Sequence, residues 1–229
     1  MALREMRLED GAPTTGYPFD LPALRALPLR LAEGVTVLVG ENGSGKSTLV
    51  EGLAVAAGFN AEGGSGQVRF STEATHSTLA DHVRLVWSGR LPAGWFLRAE
   101  SFYNVATHRV ANPGKAPEAS YHEMSHGESF LQMAADWFRR PALFILDEPE
   151  AALSFTGQLG LIHAMLDGID KGAQFVVATH SPLLMAFPGA AVHELTADGA
   201  TRRDYDDLEV VALWRSFLDD PGLFLRHLR

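Results

Sequence analysis

The chain of 229 residues contains no cysteine. Disulfides, thiolate metal sites and cysteine nucleophiles are therefore excluded, and a reducing compartment such as the cytoplasm is the expected location. Long apolar runs are missing too: nothing approaches the roughly 18 consecutive residues that a bilayer-crossing helix needs. The opening Met1-Ala2-Leu3-Arg4-Glu5-Met6-Arg7 has no apolar centre of the kind a secretory signal carries. The expectation is a soluble protein with no membrane insertion. Positive charge is scarce, with 19 Lys and Arg against 28 Asp and Glu and a formal net charge of −9. That sign excludes phosphate-backbone binding over the whole surface and leaves room only for a local basic patch. What is present is the balance of an ordinary globular chain, 46% hydrophobic and 21% charged. The length suffices for one substantial domain, read here as a single unit over residues 1–229.

Short apolar runs punctuate the chain at Val35–Val39, Val83–Trp87, Trp95–Leu97, Leu143–Leu146, Phe175–Ala178 and Val192–Leu195. Helical patterns separate several of them, one from Lys46 to Ala57 and another with Phe155, Leu159, Ile162, Leu166 and Ile169 spaced three to four apart on one apolar face. Strands alternating with helices predict an α/β fold with a mainly parallel sheet, plus an antiparallel β portion near the N-terminus. Two segments break the pattern. Ala61-Glu62-Gly63-Gly64-Ser65-Gly66 reads as a surface turn, and Thr107–Glu123, with two prolines and a glycine, reads as a connection. Residues of about 104–140 are expected to form a helical lobe inserted into the sheet domain. In the C-terminal tail, Val211, Trp214, Phe217 and Leu218 form a helical stripe expected to pack on the core.

Gly40-Glu41-Asn42-Gly43-Ser44-Gly45-Lys46-Ser47 fits the complete phosphate-loop pattern. It also sits where that chemistry requires, after an apolar strand and before a helix. Its glycines let the backbone curl so that successive N–H groups aim at phosphate oxygens, and the following helix offers its positive end to the same anion. Gly40, Asn42, Gly43, Ser44, Gly45, Lys46, Ser47 and Thr48 are the candidate nucleotide-binding residues. Lys46 is expected to reach the β- and γ-phosphates, and Ser47 to ligate Mg²⁺. No Asn-Lys-x-Asp guanine motif occurs, which argues against a GTPase. The second acidic element is Leu143-Phe144-Ile145-Leu146-Asp147-Glu148, an apolar strand ending in two carboxylates. In a parallel sheet such a strand delivers Asp147 beside the phosphate loop as a Mg²⁺ ligand. Glu148, the next residue, is set to orient or deprotonate an attacking water.

Four further pieces carry a resemblance. Asp147-Glu148-Pro149 is similar to the extended Walker B motif of ABC ATPases. Upstream, Ser125-His126-Gly127-Glu128 resembles the signature Ser-Gly-Gly-Gln; Ala151-Ala152-Leu153-Ser154 stands at the D-loop position, and Thr179-His180-Ser181 looks like the switch-histidine motif. The whole series, with Tyr17-Pro18-Phe19 and Arg98-Ala99-Glu100-Ser101-Phe102, resembles small stand-alone bacterial ATPases of the ABC superfamily. Those are AAA family ATPases related to the chromosome-maintenance and DNA-repair branch, without its coiled coils. Departures from the wider superfamily are His126, Glu128, Glu150 in place of the usual Thr, and the absence of an evident Q-loop Gln, for which Glu100 is the candidate.

The resemblance implies an ATP- and Mg²⁺-dependent ATPase forming an ATP-bridged homodimer. The phosphate loop of one subunit would face Ser125 and the Gly127 N–H of the other, at the start of a helix. Glu148 and His180 become the catalytic pair, His180 contacting the γ-phosphate and the attacking water. An aromatic upstream of the loop, Tyr17 or Phe19, is expected to stack on adenine. The implied role is a conformational switch acting on an unidentified protein or nucleic acid. The alternatives are the ATPase subunit of a membrane transporter and a sensor that binds ATP without turnover.

Overall fold

The computed structural model describes residues 1–61, 63, 78–89, 91, 93–98 and 126–226, with the backbone alone for 126–129. Glu100, Ser125, the Thr107–Glu123 connection and most of the Ala61–Gly66 turn lie outside the described residues. Of the expected helical lobe, the described part is one helix, α2, at His126–Trp137.

Two sheets form. Strands β1 (Leu3–Leu8), β2 (Leu29–Arg30) and β4 (Val83–Trp87) make a three-stranded antiparallel sheet ordered β2-β1-β4. The larger sheet has the order β5-β6-β7-β3-β8-β9, built from β3 (Val35–Gly40), β5 (Gly94–Arg98), β6 (Leu143–Asp147), β7 (Gln174–Ala178), β8 (Ala191–Thr196) and β9 (Gly199–Arg203). The first five pair in parallel and β9 closes the edge antiparallel to β8. The mixed α/β architecture with its antiparallel portion is the one expected. Val83–Trp87, one of the apolar runs, joins the small sheet, and β9 was not anticipated because Gly199-Ala200-Thr201-Arg202-Arg203 has little apolar character.

The uninterrupted apolar strands follow from burial on both faces. Along β6, Phe144 and Leu146 join the cluster with Phe130, Met133, Ala134 and Trp137 of α2. Leu143 and Ile145 point the other way, into a cluster with Leu49, Val50 and Leu53 of α1 (Lys46–Ala56) and with Leu3 and Met6 of β1. Helix α1 is thus packed between the two sheets, and its apolar residues have no free face. Gln174 knits the sheets together: its buried side chain accepts from the Leu3 N–H at 2.8 Å and donates to the carbonyls of Leu3 and Ala32 at 2.8 and 2.6 Å.

Two expected faces are corrected. Helix α3 spans Phe155–Ile169, but its buried side is Gly157, Leu161, Ala164, Met165 and Gly168. Phe155, Leu159 and Leu166 are exposed. Small residues govern this orientation because they let the helix approach its neighbours closely: a Cβ on Gly168 would stand 2.8 Å from the Phe138 carbonyl oxygen. The tail forms α5 (Glu209–Asp219) and α6 (Pro221–Leu225), after the short helix α4 (Pro182–Met185). Only Val211 of its expected stripe is buried; Trp214 and Leu218 are exposed. Phe217 instead sits edge-on between Trp214 and Phe224, so the tail packs largely on itself.

Candidate nucleotide site

The phosphate loop connects the C-terminal tip of β3 to the first turn of α1. Gly43 and Gly45 have φ of 79° and 93°, values that L side chains seldom adopt, and Gly45 is the residue that caps α1. The Lys46 ammonium is buried inside the loop, donating to the carbonyls of Gly40 at 2.7 Å and Glu41 at 3.0 Å. Burial is the main influence on this amine and lowers its pKa, while Glu148, Asp147 and Glu150 oppose that shift.

Strand β6 brings Asp147 to the loop from two strands away. The Ser47 hydroxyl donates to Asp147 Oδ1 at 3.2 Å. Behind this pair stands Arg98, at the tip of β5 and in register with Asp147. Its guanidinium lies 2.5 Å from Glu51 of α1 and 3.4 Å from Asp147 Oδ2, tying three elements at one point. Glu148 follows with φ 50°, the one left-handed non-glycine residue among those described. Such a conformation costs on the order of 1–3 kcal/mol and is commonly retained at working sites. Its N–H is held by the Ala178 carbonyl at 2.9 Å, and its carboxylate lies 3.6 Å from His180 Nε2.

A cavity of about 200 Å³ gathers Asn42, Gly43, Gly45, Lys46, Ser47, Thr48, Glu148 and His180, together with Leu21. A larger groove of about 370 Å³ runs between α2 and α3 and contains none of these residues. Gly40 and Ser44 belong to the loop without lining the cavity; Gly40 contributes its carbonyl to Lys46. Gly127 lies in the first turn of α2. Phe19 does not line the cavity either, since its ring packs edge-on against His82 at 5.3 Å, whereas Tyr17 is exposed.

The donor chemistry fits Mg²⁺ poorly as a protein-only site and well as a shared one. Ser47 Oγ and Asp147 Oδ1 are hard oxygen donors side by side. Among the described residues, however, no group of three or more His, Asp or Glu could hold a metal ion. A magnesium ion here would need the additional oxygens that phosphate and water supply.

Comparison with known proteins agrees with this geometry. One family model described as "AAA domain" matches residues 21–89, and a second, described as "AAA domain, putative AbiEii toxin, Type IV TA system", matches residues 100–186. The zinc import ATP-binding protein ZnuC of Vibrio vulnificus is 26% identical over 220 residues, covering 91% of this chain and 82% of that protein. The cytochrome c biogenesis ATP-binding export protein CcmA of Escherichia coli is 28% identical over 178 residues, covering 71% of this chain and 84% of that one. In three dimensions, the SMC head domain from Thermotoga maritima superposes with a TM-score of 0.55 at 15% identity, over 89% of this chain and 99% of that one. The chain is thus similar to AAA-domain and ABC-type ATP-binding proteins in sequence and to an ABC-type ATPase head in fold.

Several features of this ABC-like site escaped the sequence reading. Arg98 was noticed only within the Arg98–Phe102 resemblance and given no role, because nothing local says that β5 and β6 are neighbours. Leu21 directly precedes a 3-10 turn at Pro22–Ala26 that the apolar pattern does not distinguish. Glu150 was noticed only as a departure; its carboxylate accepts the His180 backbone N–H at 2.6 Å.

The buried Asp147 carries a testable pH signature. Burial raises its pKa from the ordinary 3.8 to about 6, with Arg98 and the Ser47 hydroxyl partly offsetting that effect. Between those values the folded chain holds a proton that the unfolded chain has lost, so the associated stability is complete below pH 3.8 and gone above pH 6. The difference of about two pH units corresponds to about 3 kcal/mol. Asp147→Asn, permanently neutral, is therefore expected to be more stable than the native chain at pH 7 to 8, with the gap closing toward pH 4. Urea melts across that range check it; a gap that widens on acidification contradicts it.

Proposed function

We propose that this chain binds ATP with Mg²⁺ and hydrolyses it, using nucleotide-driven pairing of two copies as a switch on a partner protein or nucleic acid. The observation that carries the reading is the 3.2 Å contact from Ser47 to Asp147, beside a cavity shared by Lys46, Glu148 and His180. The loop N–H groups and Lys46 would grip the β- and γ-phosphates, and Ser47 and Asp147 would hold Mg²⁺. Mg²⁺, when bound, supplies neutralisation of the phosphate charge. Glu148 reaches the same cavity with a carboxylate able to take a proton from water, and His180 stands beside it to hold the water and the terminal phosphate. Tyr17, exposed upstream of the loop, is the aromatic open to stacking on adenine.

Pairing of copies is supported by the second half-site expected at Ser125 and Gly127. The first turn of α2 offers N–H groups to an anion brought by the other copy. ATP held by both halves would favour the paired state by its differential affinity, and hydrolysis would release it. The single-domain reading over residues 1–229, with its lobe at about 104–140, belongs to this proposal.

A second reading is favoured by the ZnuC and CcmA similarities: the ATPase subunit of a membrane transporter. No described helix is long and apolar enough to cross a membrane, so that role requires a membrane-spanning partner. Phosphate release and oligomeric state measured together, with and without DNA, test the main reading. Mg²⁺-dependent turnover with ATP-dependent dimers is expected. Absence of ATP binding sinks both readings, binding without turnover leaves a nucleotide sensor, and stable co-purification with a membrane-spanning subunit favours the transporter.

A further inference from the structure

The loop after β6 and the loop after β7 are joined by three hydrogen-bonded links. The Glu148 N–H donates to the Ala178 carbonyl at 2.9 Å. The His180 N–H donates to Glu150 Oε1 at 2.6 Å, across 30 residues of sequence. The Ser181 hydroxyl donates to Gln158, whose amide donates in turn to the Leu153 carbonyl at 3.3 Å. Residues 149–152 form a 3-10 turn, so Glu150 is fixed at its base. The turn begins directly after the left-handed Glu148 and runs into Ser154, whose hydroxyl caps α3 by accepting the Gly157 N–H at 3.1 Å.

We infer that Glu150 is a positioning residue for His180. Its carboxylate holds the histidine backbone, so the imidazole stays 3.6 Å from Glu148 and any movement of the 149–153 turn is passed directly to His180. The inference rests on the proposed hydrolytic role of His180. It adds that the candidate D-loop turn and the histidine loop form one mechanical unit. A charge-assisted hydrogen bond to a backbone N–H is strong enough to set a loop's position, and misplacement of a reacting group by about 1 Å costs on the order of a hundredfold in rate.

The experiment compares Glu150→Ala, Glu150→Gln, His180→Ala and the Glu150→Ala/His180→Ala double variant. Mg²⁺–ATP affinity and single-turnover hydrolysis are measured, along with the His180 imidazole NMR signals in the nucleotide-free protein. Glu150→Ala is expected to lower the hydrolysis rate about ten- to hundredfold with ATP affinity nearly unchanged, and to shift the His180 signals. Glu150→Gln keeps an acceptor oxygen and is expected to restore most of the rate and the native signals. The double variant is expected to be no slower than His180→Ala. Unshifted signals, multiplicative losses, or a glutamine variant as slow as the alanine one would overturn the inference. If His180→Ala hydrolyses normally, the hydrolytic role itself falls. Normal turnover in Glu150→Ala beside a crippled His180→Ala sinks the positioning role alone.

Discussion

Lys46→Ala is expected to lose ATP binding altogether in a calorimetric titration, with the fold intact by circular dichroism. The ammonium already sits inside the loop, coordinated by the carbonyls of Gly40 and Glu41 at 2.7 and 3.0 Å. It is therefore placed before any phosphate arrives and spends little rotamer entropy on binding. Hydrogen bonds to charged groups contribute about 1.5–3 kcal/mol each. Losing two of them to the β- and γ-phosphates amounts to at least a hundredfold in affinity. The fold should survive because the loop's course rests on backbone contacts that the substitution leaves alone. These include the Leu49 N–H to the Gly45 carbonyl at 2.9 Å and the Ala23 N–H to the Ser44 carbonyl at 3.0 Å. Native affinity in this variant would remove the phosphate loop from the account.

Glu148→Gln is expected to separate binding from turnover. Glutamine preserves the size and one acceptor oxygen of Glu148, so the cavity shape and the contact toward His180 persist, but it takes no proton from water at neutral pH. Hydrolysis is expected to fall by about 10²- to 10⁴-fold, while ATP affinity stays within about threefold, less than the 1.4 kcal/mol of a tenfold change. If ATP joins two copies, the stalled variant should also accumulate as a dimer in size-exclusion chromatography with ATP, and revert when ATP is removed. Turnover at the native rate would take the proton-accepting role away from Glu148. The left-handed backbone gives a second reason to expect this residue to matter: a non-glycine residue held at φ 50° is a costly conformation of the kind that clusters at working sites.

The local sequence carried much of this protein. A phosphate loop is a contiguous backbone device, so its eight positions announce themselves wherever they stand, and the apolar run that precedes them predicts the strand. The same holds for Asp147 and Glu148: a hydrophobic strand ending in carboxylates implies a tip at the C-terminal edge of a parallel sheet. The structure brings these separately legible pieces together, with Asp147 contacting Ser47 and Glu148 and His180 lining one cavity with Lys46.

Other features depended on contacts between distant residues. Arg98 earns its place from the β5–β6 register and from Glu51 on α1, neither of which a linear reading supplies. Glu150 acquires a partner only because β7 lies beside β6. Phe19 and Tyr17 were equivalent in sequence, and packing against His82 separated them. Hydrophobic periodicity found α3, and Ile162 and Ile169 do pack on the core, but it also counted the exposed Phe155, Leu159 and Leu166, since it weights large side chains and the close approach was made by Gly157 and Gly168. Chemistry written in consecutive residues was thus fixed by the chain itself, because backbone geometry is local. Which side chains meet across strands, and which face of a helix is covered, was decided by the tertiary structure, because packing selects on shape and proximity between residues remote in sequence.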